Sequence, residues 1–163
     1  MLFAQLRTEE EENPGHLVYE ADGWDGYTAD RTAILTHLRD RAIPNPVVLS
    51  GDIHAHAATD LKTDFSDPSS PVIATELVAG AISSPSFDTT LGAVANNPHL
   101  RFASERNGYT WVNLNPERLS AEVRSMYPPD GIRHVTPDSD CHVEARIEVL
   151  DGRAGALCRA VRR

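Results

Sequence analysis

A chain of 163 residues with 40% hydrophobic content is sized for one domain, and a domain of this size buries roughly 70% of the surface its unfolded chain exposes. The formal net charge of −9, with Lys62 as the single lysine and no basic stripe, speaks against a binder of nucleic-acid phosphates. No stretch reaches the roughly 20 apolar residues that span a bilayer, and residues 1–12 lack a charged start followed by an apolar core. Taken as given, the chain has no membrane segment and no export signal, and reads as cytoplasmic.

In chain order, residues 1–6 (MLFAQL) are apolar with no cap ahead of them and read as the end of an element that begins upstream. Glu9 to Gly15 is charged and turn-forming, a solvated loop. The spacing of Ile34, Leu35, Leu38 and Ala42 predicts a helix from Thr28 to Arg41, with Thr28 as its cap and Pro44 and Pro46 ending it. Val47, Val48 and Leu49 then read as a strand buried on both faces, so that helix and strand make half of a βαβ unit.

Strands are expected over residues 71–78, 109–114, 119–126, 141–150 and 156–161, the last four as two hairpins turning at Asn115-Pro116 and Asp151-Gly152. Residues 87–97 read as a short helix and 127–140 as a loop. Cys141 and Cys158 flank the second hairpin turn. They are either a cross-strand disulfide or two buried thiols.

Ser50-Gly51-Asp52-Ile53-His54-Ala55-His56 follows the buried strand at its carboxyl end, where open α/β sheets place their ligands. If the backbone stays extended there, Asp52, His54 and His56 project to one side. A carboxylate beside an imidazole suits a hard cation next to a transition metal. The plainer reading of the same string is a hydrogen-bonded turn, with His56 a pocket-edge histidine. Glu76 lies in an apolar strand and, once buried, needs a partner such as Arg101, Arg106 or a histidine of the site. His16, His37, His99, His134 and His142 read as surface or loop residues, and no nucleophilic serine motif is present.

Several ordered segments together resemble PhoD-like phosphatases. They are Asp22-Gly23-Trp24-Asp25-Gly26-Tyr27, a helix with Arg31, Leu49-Ser50-Gly51-Asp52-Ile53-His54, Thr75-Glu76-Leu77-Val78, Ser83-Ser84-Pro85, Asn97-Pro98-His99 and Arg106-Asn107-Gly108-Tyr109. Similarity runs from about residue 1 to 126, with Asn107 inserted where the family often moves straight to glycine. The resemblance implies an α/β fold, residues 1–163 being the C-terminal portion of a calcineurin-like αββα sandwich with a mixed sheet and a β-rich second half. It implies hydrolysis of phosphate mono- or diesters in a secreted or cell-envelope parent, with calcium and iron as cofactors and a phosphate ester as substrate.

Asp52 matches the family's aspartate and His54 its histidine as metal ligands, Asp52 toward a calcium-type and His54 toward an iron-type ion. The family's other ligands come from a long upstream region, so the N-terminal part of the same enzyme is the implied partner and the chain alone is expected to be inactive. Trp24, Asp25, Tyr27 and His56 are second-tier candidates near the site. Trp24 and Tyr27 read equally as packing anchors and Asp25 as a turn former. Two rival readings are a non-catalytic β-rich accessory module and a small metal-binding module built on Asp52, His54 and His56.

Overall fold

The computed structural model describes residues 3–10, 13–19, 21–85, 96–127, 135–136 and 138–161. The expected helix over 87–97 and loop over 127–140 therefore fall, apart from their ends, outside the described residues. Strands β1 (Arg7–Glu10) and β2 (Asn13–Tyr19) form an antiparallel pair where a loop was expected. A 3₁₀ turn (Trp24–Tyr27) runs straight into helix α1 (Thr28–Asp40). Thr28 is consequently already helical, and Tyr27 occupies the cap position with no side-chain bond.

The helix stops before its prolines by a local device. The N–H groups of Ala42 and Ile43 turn back to the carbonyls of Arg39 and Leu38, with Ala42 in the left-handed region at φ 47°. Leu35 is buried from α1 and Leu38 packs beside the same core, whereas Ile34 stays 42% exposed.

Strands β3 (Val47–Ser50), β5 (Val72–Val78), β4 (His56–Lys62) and β6 (Leu100–Ser104) lie in that order in one mixed sheet. Only the β3–β5 pair is parallel. A second, antiparallel sheet runs β10 (Leu157–Ala160), β9 (Asp140–Leu150), β8 (Arg118–Tyr127), β7 (Gly108–Leu114), which contains both expected hairpins. Asn115 builds the first turn by accepting the N–H groups of Glu117 and Arg118 on its side-chain oxygen.

Alternation along the central strands sorts residues into two cores. Ala57, Leu61 and Val78 face α1 and the segment around Phe3 and Ala4. Ala58 and Leu77 face the antiparallel sheet, where they meet Leu119, Ala121, Val123, Ala145, Ile147 and Val149. Helix, mixed sheet and antiparallel sheet thus stack as three consecutive layers of an α/β sandwich. With both of its faces covered, β4 is buried from His56 to Leu61 although it carries His56, Thr59 and Asp60, so its composition gives no sign of a buried strand.

Two expectations need correction. Leu49 is 64% exposed, so β3 is not buried on both faces; among the described residues it is an edge strand paired with β5. The cysteines are both free, because Cys158 pairs in register with Ile147, six residues along β9 from Cys141. That offset is about 20 Å, far beyond the roughly 7 Å between Cα atoms that a disulfide spans.

Candidate metal centre

The turn between β3 and β4 carries the G-D-x-H string, and its backbone is not extended. Asp52 (φ 79°) and His54 (φ 54°) both occupy the left-handed region, while the neighbouring Gly51 is not at positive φ. Such conformations cost of order 1–3 kcal/mol each and persist where surrounding contacts hold them. The contacts are visible on both sides of the corner. Upstream, the Ser50 carbonyl accepts the Ala79 N–H at 2.9 Å, and the Ser50 hydroxyl donates to Glu76 Oε1 at 2.6 Å.

Downstream, His54 Nδ1 stands 2.7 Å from the Pro85 carbonyl oxygen. A carbonyl only accepts, so Nδ1 carries the hydrogen and Nε2 keeps its lone pair, the tautomer a metal-binding imidazole needs. The Ser83-Ser84-Pro85 turn is in turn held by Asn107, whose side-chain amide donates to the carbonyls of Ala81 and Ser84 at 3.1 and 2.7 Å. The inserted asparagine therefore braces the segment that orients His54.

Asp52 is exposed and the His54 tautomer leaves Nε2 unprotonated, so the corner carries a carboxylate and an imidazole nitrogen, donor types that a cation takes. They are a partial set. Among the described residues, no group of three or more histidine, cysteine, aspartate or glutamate side chains could hold a metal ion.

His56 is drawn inward instead. Its ring is fully buried at the start of β4, and Nδ1 accepts the Gly80 N–H at 3.0 Å with the Thr110 hydroxyl 3.3 Å away. Its Nε2 is buried without a hydrogen-bond partner among the described residues. Burial pulls its pKa down to about 4, so it is a neutral packing imidazole against Gly80, where a Cβ would come within 2.9 Å of the ring. A shared face of Asp52, His54 and His56 does not form.

Two of the second-tier residues at the helix start, Trp24 and Asp25, clamp residues 3–6. Trp24 packs on Phe3 with ring centroids 4.6 Å apart. Asp25 accepts the Leu6 N–H at 2.8 Å and pairs with Arg31 at 2.6 Å, both charged side chains being at most 5% exposed. Tyr27 is 59% exposed.

The segment expected to end a regular element is irregular over residues 3–6, and its buried backbone groups find side-chain partners. Glu76 accepts the N–H groups of Phe3 and Ala4 at 2.7 and 2.9 Å. His99 donates to the Gln5 carbonyl through Nε2 at 2.7 Å, and Asn97 accepts from and donates to the backbone of Arg7. His99 is thus a buried structural residue, not a surface one, with its pKa lowered by burial. Glu76 has neither of the arginines expected for it, since Arg101 pairs with buried Asp60 and Arg106 with Glu144. Nothing in the local sequence pointed to Asp60, and Asn97 and Asn107 were legible only as parts of family-like segments, because the partners that give all three their roles are distant in the chain.

The stacked layers match a solved PhoD structure with a TM-score of 0.81, at 24% identity over 100% of this chain and 31% of that one. This likeness establishes the fold. The sequence profile of the PhoD-like phosphatase family matches residues 1–123, and the chain belongs to that family. A curated relative, alkaline phosphatase D of Bacillus subtilis (strain 168), is 32% identical over an aligned length of 114, and the match covers 67% of this chain. The chain spans about a fifth of that relative's length. No helix among the described residues is long and apolar enough to cross a membrane.

Proposed function

We propose that this chain supplies the G-D-x-H portion of the metal centre of a phosphatase that hydrolyses phosphate mono- or diesters, with Asp52 and His54 as ligands. The observation that carries the reading is the corner itself. Two left-handed non-glycine residues at the carboxyl end of β3 carry a carboxylate and an imidazole whose Nδ1–H is committed to a carbonyl. Membership of the family supports the reaction class.

In this reading Asp52 offers acceptor-only oxygens to a calcium-type ion and His54 offers its Nε2 lone pair to an iron-type ion, while Pro85 fixes the ring. Bound ions would lower the pKa of a water and neutralise charge developing on the phosphoryl oxygens. Two donors do not hold several ions at the few-ångström spacing such chemistry uses. We therefore assign the remaining ligands to the rest of the enzyme, and expect no appreciable hydrolysis from residues 1–163 alone. We infer on the same reading that the whole enzyme works outside the cell or in its envelope.

The test uses a full-length enzyme carrying this chain. Asp52→Asn and His54→Ala should each abolish hydrolysis of p-nitrophenyl phosphate and bis-p-nitrophenyl phosphate and lower bound calcium or iron. Near-normal turnover and metal content in both variants would overturn the assignment.

A further inference from the structure

Glu76 is fully buried in the central strand β5, yet every hydrogen bond it accepts comes from a neutral donor. Oε1 takes the Phe3 N–H and the Ser50 hydroxyl. Oε2 takes the Ala4 N–H and, at 3.4 Å, the Thr59 hydroxyl. Four donors saturate a carboxylate's acceptor sites. A neutral side chain could satisfy two backbone N–H groups at far smaller desolvation cost, so the placement of a carboxylate here asks for a reason beyond packing.

The register supplies one. Glu76 pairs with Val48 on the parallel neighbour β3, and its carboxylate reaches along that strand to Ser50, on the same face two residues on. Ser50 is the last residue of β3. Asp52 follows two residues later, within about 7 Å of chain. The Ser50 carbonyl is fixed independently by Ala79, so hydroxyl and carbonyl together set the direction in which the chain leaves the sheet.

We propose that Glu76 is the positioning carboxylate of the Asp52–His54 corner, acting through the Ser50 hydroxyl, and that residues 3–4 share this carboxylate and are thereby coupled to the corner. The proposal rests on the reading of Asp52 and His54 as cation ligands. Its logic is that of an outer-shell partner: the buried negative charge favours a cation nearby and the hydrogen bond orients the segment that bears the ligand. Burial raises the pKa of Glu76 against the lowering effect of its four hydrogen bonds, and a cation at the corner would favour the charged form.

The test uses isotope-labelled protein of the full 163 residues and two readouts, backbone amide resonances without metal and titration with calcium or terbium. Ser50→Ala cuts one link and leaves the bonds to Phe3 and Ala4 intact. It should move the signals of residues 51–54 and, to a smaller extent through the shared Oε1, that of Phe3, and weaken terbium binding about tenfold. Ser50→Thr, which keeps the hydroxyl, should restore both. Glu76→Gln should move the signals of residues 51–54 and of residues 3–4 alike.

Unshifted signals of residues 51–54 in Ser50→Ala would overturn the positioning role even if Glu76→Gln failed to fold. Where the parent chain binds terbium, equal affinity in Ser50→Ala would overturn it as well. Should the signals move as expected while the parent chain binds neither cation at millimolar concentration, the positioning role stands, and the cation reading is decided by the metal content of Asp52→Asn and His54→Ala in the full-length enzyme.

Discussion

Replacing Asp25 by alanine separates the structural role of the helix-start motif from a catalytic one. Asp25 and Arg31 are 2.6 Å apart with side chains 3% and 5% exposed, and Arg31 also lies over the Phe65 ring at 5.2 Å. Removing the carboxylate leaves a guanidinium buried without its charge partner and the Leu6 N–H without its acceptor. Breaking a buried pair in this way costs about 3–5 kcal/mol. With a urea dependence of about 2 kcal/mol per molar, the unfolding midpoint falls by about 1.5–2.5 M.

The same change made in an Arg31→Met background removes no charge partner. It should cost only about 1–3 kcal/mol, the share due to the orphaned Leu6 N–H. Urea unfolding of the four proteins of this cycle, followed by the fluorescence of Trp24 and Trp111, measures the coupling. A cost below about 1 kcal/mol for Asp25→Ala, or an equal cost in both backgrounds, would refute the clamp and return Asp25 to the list of residues available for chemistry.

The cysteines give a second expectation. Non-reduced, denatured protein should titrate two thiols, whereas native protein at pH 8 should show Cys141 reacting promptly and Cys158 lagging, because burial pushes the Cys158 thiol up to about 11. Since this value lies above that of the unfolded chain, the unfolded state ionises first, and the native state loses stability as pH rises from about 9 to about 11. Prompt reaction of both thiols in native protein would contradict this. In β7, a Cβ on Gly108 would lie 2.1 Å from the Arg124 carbonyl oxygen. Gly108→Ala should therefore cost at least about 1–3 kcal/mol and lower the melting temperature by about 2–12 °C; an unchanged melting temperature would show that β7 and β8 can part there without loss.

The sequence by itself determined the elements whose causes are local. Helix α1 was legible because Leu35 and Leu38 recur at helical spacing and because Pro44 and Pro46 follow. The hairpins β7–β8 and β9–β10 were legible because turn residues separate strands that alternate, as they must when one sheet face meets a core and the other meets solvent. Asp52 and His54 stood out as candidates because they lie two residues apart at the end of a strand, and the ordered motifs around them carried the family.

Tertiary structure decided whatever depends on residues far apart in the chain. Strand β4 reads as an unremarkable His-Ala-Ala-Thr-Asp-Leu-Lys because both of its faces are covered, one by α1 and residues 3–4 and the other by the second sheet. Residues 3–6 have no regular structure of their own, and partners 19 to 94 residues away in the chain satisfy their backbone groups. The orientation of the corner is likewise remote. Glu76 lies 26 residues from Ser50 and Pro85 lies 31 residues from His54, so local spacing implied an extended run where packing imposed two left-handed turns. Register settled the cysteines, since hairpin geometry allows them to meet and only the pairing of Cys158 with Ile147 keeps them apart.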